Sequence, residues 1–150
     1  MLIITAERCG FKDRSKIAKL LRSSQSEGTQ FVDLLLDSGE LNERRFLKQL
    51  SDNLMVPWWE PDRDWNWHEN LSWLISSRDA ARLGCVPIFA ETNRHSPQKL
   101  VHVATYNPLD VVGVHQIAGA CNAEVKLHFT ARQVVREGIE SIYGALALAA

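Results

Sequence analysis

Leu100-Val101-His102-Val103-Ala104-Thr105-Tyr106-Asn107-Pro108-Leu109-Asp110 is the stretch on which the reading of the fold turns. Leu100 to Thr105 reads as a short apolar strand. The four residues from Asn107 to Asp110 spell a helix start: Asn caps, Pro sets φ at the first helical position, and Asp faces the positive end of the helix dipole. Val111, Val114, Ile117, Ala118 and Cys121 then fall on one helical face. Upstream, Cys85 to Glu91 is an apolar run around Pro87, which suits an edge strand or a strand start. Thr92 to Gln98 carries Asn93, Ser96 and Pro97 and reads as the turn of a hairpin joining these two strands. Further upstream, Leu71, Leu74 and Ile75 predict a helical turn. Ser76 or Ser77 caps a helix running through Leu83, and Gly84 suits its stop. Downstream, Glu124 to Phe129 predicts a third strand, with Val125, Leu127 and Phe129 alternating. Thr130 and Gln133 have the spacing of a capping box, and Val135, Ile139, Ile142 and Tyr143 line a last helix. Residues 71–144 thus predict a helix-strand-strand-helix-strand-helix lobe.

Residues 1–56 read differently, as helices. Asp13 caps a helix carrying Ile17, Leu20 and Leu21. Phe31, Leu34 and Leu35 mark a second, ended by Gly39. Asn42 caps a third, with Phe46, Leu47, Leu50 and Leu54 on one face, before Pro57 stops it. Residues 57–70 are polar and aromatic without a period and read as a connector, and 145–150 as a tail or linker stub. The fold class expected is α+β: an N-terminal helical lobe packed through a Trp-rich connector on a small three-stranded α/β lobe.

Composition limits the function. With 17 Lys and Arg against 18 Asp and Glu, the net charge is −1. General nucleic-acid binding needs a cationic excess to displace counterions, and attraction to an anionic membrane surface needs the same. No apolar run approaches the roughly 20 residues of a spanning helix. Met1 to Gly10 has no basic leader or cleavage site, so no signal peptide is expected. Cys9, Cys85 and Cys121 are odd in number and widely spaced, which predicts reduced thiols in the cytoplasm.

A shift of 29 positions lays the first 24 residues on residues 30–53. Gly10 meets Gly39, Asp13 meets Asn42, Ile17 meets Phe46, Leu21 meets Leu50 and Leu2 meets Phe31. Two amphipathic helix-turn-helix pieces also align this way without being a repeat, and both readings stand. Reactive motifs are missing: there is no GxxxxGK[ST] phosphate loop, no GxGxxG, no GxSxG and no HExxH. An enzyme would need a nucleophile or metal spacing that the sequence does not offer. The five histidines read as structural or surface groups, with His102 and His128 on strands and candidates to be neighbours. The carboxylates of Asp33, Asp37, Glu40 and Glu43 read as a solvated face. All five tryptophans lie between Trp58 and Trp73. They read as glue between the lobes, or else as a partner patch for which Trp65 and Trp67, with polar neighbours, are the exposed pair.

Several stretches together resemble the N-terminal domains of type II secretion (GspE-like) and type IV pilus assembly ATPases. They are Phe31 to Gly39, Leu41-Asn42 with the helix to Leu54 and Val56-Pro57, Ser77 to Pro87, Val103 to Asp110, and the close at Ile142-Tyr143-Gly144. The resemblance spans nearly the whole chain. It implies a non-catalytic domain, with ATPase activity in a downstream domain. It also implies a partner in the cytoplasmic domain of an inner-membrane platform protein, and a cytoplasmic location peripheral to that membrane. Partner-contact positions expected on this basis are Ile17, Leu20, Leu21, Phe31, Leu34 and Leu36, with Trp65 and Trp67; the exposed parts of residues 14 to 36 are the first choice. The related MshEN type binds cyclic di-GMP through two tandem 24-residue motifs joined by five residues. Positions matching that frame here are Leu2, Gly10, Leu21, Leu35, Leu36, Gly39, Leu41, Phe46, Leu50 and Asn53. The opening Arg-Leu-Gly is replaced by Met1-Leu2-Ile3 and Gln30-Phe31-Val32, and the closing Gln by Ser24 and Asn53. Gln lacks the charge and stacking surface of a guanidinium, and a β-branched residue crowds an approach that Gly permits. The expectation is therefore a retained scaffold, no cofactor, and cyclic di-GMP binding lost.

Overall fold

The computed structural model describes residues 1–27, 30–92, 97–107 and 111–144, without the side chains of 111 and 112. The expected turn residues Asn93 and Ser96, the helix start Pro108 to Asp110, part of the spacer at 28–29, the Val111 side chain and the tail 145–150 lie outside them. Among the described residues the fold is α+β, with seven α-helices and one three-stranded mixed sheet. The chain divides into two compact units, Met1–Leu54 and Met55–Ala150.

The first unit is helical: α1 (Leu2–Arg8), α2 (Arg14–Glu27), α3 (Phe31–Asp37) and α4 (Glu43–Leu54). Its helix starts follow the caps in the sequence. Asp13 Oδ1 accepts from the Ser15 hydroxyl at 2.7 Å and from the Ser15 and Lys16 amides at 3.0 and 3.3 Å. Asn42 Oδ1 accepts from the Arg45 amide at 3.0 Å. Phe11, Ile17, Val32, Leu35, Phe46, Leu47 and Leu50 are buried.

The second unit holds a 3₁₀ turn (Glu69–Leu71), α5 (Ser77–Leu83), β1 (Cys85–Thr92), β2 (Lys99–Thr105), α6 (Val111–Ala120), β3 (Ala123–Phe129) and α7 (Arg132–Tyr143). Ser76 is the residue that caps α5, its Oγ accepting from the Asp79 amide at 3.1 Å. Strand order is β1-β2-β3, with β1 antiparallel and β3 parallel to β2. Pro87 lies on the edge strand β1, next to an irregularity between Pro87 and Phe89. β2, the central strand, is buried on both faces from Val101 to Thr105.

Two local readings are corrected. No Thr130–Gln133 capping box forms: α7 begins after Ala131 without a side-chain cap. Thr130 is fully buried, its amide donating to the Thr105 carbonyl at 3.0 Å, so sheet pairing takes the residue before the helix can. Cys121 is not on the α6 face. The helix ends at Ala120, Asn122 takes a positive φ of 55°, and Cys121 is exposed in the turn.

Candidate functional site

Within the helical unit, the first helix, the turn and the cap of each half fall at matching places. α1 and α3 begin and end 29 residues apart, at Leu2 and Phe31 and at Arg8 and Asp37. Gly10 (φ 119°) and Gly39 (φ 74°) turn the chain at matching places, conformations that L residues disfavour. The caps Asp13 and Asn42 follow three residues later in each half. α1 packs on α4 and α2 on α3, so the first helix of each half rests on the second helix of the other. That swapped pairing is the one expected of two halves related by a two-fold axis. A side chain at Gly10 would put its Cβ 3.0 Å from the Glu40 carbonyl oxygen, in the loop of the other half.

The positions matched to the dinucleotide-binding frame fall into place by burial. Leu35, Phe46 and Leu50 are fully buried and Leu36 nearly so, while Leu2, Leu21 and Leu41 are half-buried. Gly10 and Gly39 are exposed at the turns. The frame is therefore mostly core. Its closing positions are occupied by intramolecular bonds: Ser24 Oγ donates back to the Leu21 carbonyl at 2.8 Å, and Asn53 Nδ2 donates to Thr5 Oγ1 at 3.3 Å. At the two close-approach positions, Val32 is fully buried and Ile3 is 39% exposed.

Of the expected partner-contact positions, Ile17, Phe31 and Leu36 are buried, whereas Leu20, Leu21 and Leu34 are half-buried. Leu36, expected at the partner contact, is 7% exposed and belongs to the core. The exposed apolar side chains of this unit are on α1 and just before it: Met1 (60%), Ile3 and Ile4 (56%). Sequence reading missed this patch because it took Ile3 only as a place where a motif residue is lacking and did not consider Ile4. The signal was there, since Ile3 and Ile4 match Val32 and Asp33 and place two adjacent β-branched residues on a seven-residue helix.

In the second unit, Trp65 and Trp67 are not an exposed pair. They pack edge to face with Trp59, at centroid distances of 5.2 Å for Trp59–Trp65, 5.9 Å for Trp59–Trp67 and 6.4 Å for Trp65–Trp67. Trp65 also meets Phe89, and Trp67 lies against Gly138 on α7. The segment 57–70 thus joins the α/β unit, fastened further by the Phe129 amide on the Pro57 carbonyl (2.8 Å) and the Trp59 amide on the Phe129 carbonyl (2.7 Å). The exposed tryptophan is Trp73, at 44%, with Lys99 Nζ 5.7 Å from its ring centroid. His102 and His128 are neighbours, their Nδ1 and Nε2 atoms 2.8 Å apart. No group of three or more His, Cys, Asp or Glu among the described residues is arranged to hold a metal ion.

No protein-family model matches the chain, and no curated protein does. Solved structures do. A structure of MshE with cdg superposes with a TM-score of 0.55 at 17% identity, covering 87% of this chain and 90% of that one. The N-terminal domain of XpsE superposes with a TM-score of 0.57 at 18% identity, covering 84% and 85%. The chain has the fold of these domains across both of its units. No helix among the described residues is long and apolar enough to cross a membrane.

Proposed function

We propose that this chain is a non-catalytic docking and regulatory domain of a type II secretion (GspE-like) motor, and that it captures the cytoplasmic domain of an inner-membrane platform protein. The carrying observation is the fold shared with the XpsE N-terminal domain over 84% of the chain. On this reading the domain works in the cytoplasm, peripheral to the inner membrane through its partner, and ATP hydrolysis belongs to a downstream domain. The contact surface is the helical unit, where Ile3 and Ile4 of α1 are open and Leu20, Leu21 and Leu34 are half-open. Apolar side chains of this kind supply binding energy when a partner removes them from water. Ile4→Asp, Leu20→Asp and Leu34→Asp are each expected to weaken capture of a platform-protein cytoplasmic domain roughly ten-fold or more, as loss of an interface anchor does. Unchanged capture across all three removes the helical unit as the surface.

A second reading, cyclic di-GMP sensing, is favoured by the likeness to MshE solved with cdg, which we take as that dinucleotide, and by the two-fold repeat. Against it stand the buried Val32 and the intramolecular bonds of Ser24 and Asn53. Isothermal titration with micromolar cyclic di-GMP is expected to show no binding heat; saturable binding would make sensing the function.

A further inference from the structure

His102 and His128 sit on the two parallel strands. His102 pairs with Lys126 and Ala104 with His128, so the two imidazoles lie diagonally on one face of the sheet. Their 2.8 Å N···N contact requires one ring to donate and the other to accept. His102 is 6% exposed and stacks on Phe89 with centroids 4.0 Å apart and planes 16° apart. Its other nitrogen, Nε2, lies 3.4 Å from a Glu91 carboxylate oxygen without forming a hydrogen bond. The charged groups that face the pair are Glu91 from β1 and Lys126 from β3. From the segment before the sheet comes the neutral Trp65 indole, packed on Phe89, with the titratable His68 stacked on it.

Proton counting sets what this arrangement does. One added proton is accommodated. It goes to His102, whose Nδ1–H donates to the bare Nε2 of His128 while Nε2–H turns toward the Glu91 carboxylate. A second is not accommodated, because both contact nitrogens would then bear hydrogens and two imidazolium rings would meet beside Lys126. We propose that the pair is a proton-operated latch between β2 and β3, closed with no or one added proton and opened by the second. It is independent of which partner the helical unit binds. Opening moves the ring on which Phe89 stacks and, through Phe89, the tryptophan group. Burial first, then the charge of His102 and of Lys126, hold His128 well below the ordinary histidine value, at about 4. The folded ring therefore binds its proton more weakly than the unfolded one, and the latch's stabilisation falls as pH drops from the unfolded value of about 6.5 toward 4.

The test uses the whole chain. Side-chain ¹⁵N NMR of the histidines is recorded from pH 7.5 downward, with near-UV circular dichroism of the tryptophans over the same range. The expected result is a His128 ring still neutral at pH 5.5, and a tryptophan change centred near 4. His128→Gln, which keeps an N–H for His102 but cannot take a proton, is expected to lose that change. A His128 titration near the free value of about 6.5 overturns the latch. So does the same tryptophan transition in His128→Gln. The NMR measurement on the unaltered chain decides the question even if the variant does not fold.

Discussion

Gly138 and Gly119 both stand inside helices, where a glycine is worth about 1 kcal/mol less than alanine. Their surroundings give the same substitution opposite signs. A Cβ at Gly119 meets nothing within 4 Å, so Gly119→Ala is expected to stabilise the protein by about 0.5–1 kcal/mol. A Cβ at Gly138 would stand 2.7 Å from Trp67 Cη2 and Cζ3. That ring cannot swing away cheaply, because Trp59 and Trp65 hold it edge to face. Overpacking of this kind costs about 1–3 kcal/mol and outweighs the gain in helix propensity, so Gly138→Ala is expected to destabilise. Urea melts of the two variants, read by circular dichroism, check both signs. This contact also shows what sequence could not disclose. The grouping of tryptophans between Trp58 and Trp73 was visible, but their seat on a glycine of the last helix was not. Polar neighbours such as Asp64 and Asn66 made Trp65 and Trp67 look exposed, whereas ring packing depends on residues far along the chain.

At the scale of the element, starts and stops written by a single side chain were legible. Asp13, Asn42 and Ser76 each cap the helix expected of them, because a cap is decided within three residues. Asn42→Ala is expected to cost about 1 kcal/mol in a thermal or urea melt, as loss of an N-cap does. Asp13 adds a pH term. Its hydrogen bond from the Ser15 hydroxyl, then the Lys16 amide, lower its carboxyl pKa below the usual aspartate value. The group therefore stabilises the fold above the unfolded pKa, and that contribution disappears as pH falls through the folded one. Asp13→Asn keeps a capping oxygen and is expected to flatten the stability profile in this acid range. An unchanged profile would place the acid sensitivity elsewhere. Thr130 failed as a cap for the reason the others succeeded: its fate was settled by Thr105 on a neighbouring strand, beyond local reach. The proximity of His102 and His128 likewise depends on parallel pairing across an intervening helix, so strand assignment made them candidates and only the register joined them.

For the whole molecule, the sequence marked a helical part and an α/β part, and the contacts divide the chain after Leu54. The tryptophan segment expected to be a connector between lobes packs within the second unit, Trp65 on Phe89 and Trp67 against Gly138. The two units differ in what they have to hold themselves together. Residues 1–54 form a chain so short that a single core removes only about 60% of the surface the unfolded chain exposes, which leaves it marginal. Residues 55–150 combine the sheet with α7, the tryptophan group and the Tyr143 hydroxyl, which donates to the Ile75 carbonyl at 2.6 Å. Burial raises the Tyr143 pKa, so the hydroxyl keeps its donor proton under alkaline conditions that would ionise a free phenol. Expressed alone, residues 55–150 are expected to fold cooperatively and to reproduce the near-UV tryptophan spectrum of the whole chain, because all five tryptophans lie within them. Residues 1–54 alone are expected to melt at a lower temperature, with helical far-UV circular dichroism lost over a broad range. A second fragment without tryptophan near-UV structure would show that the α/β unit needs the helical one to fold, and the boundary after Leu54 would then divide contacts but not stability.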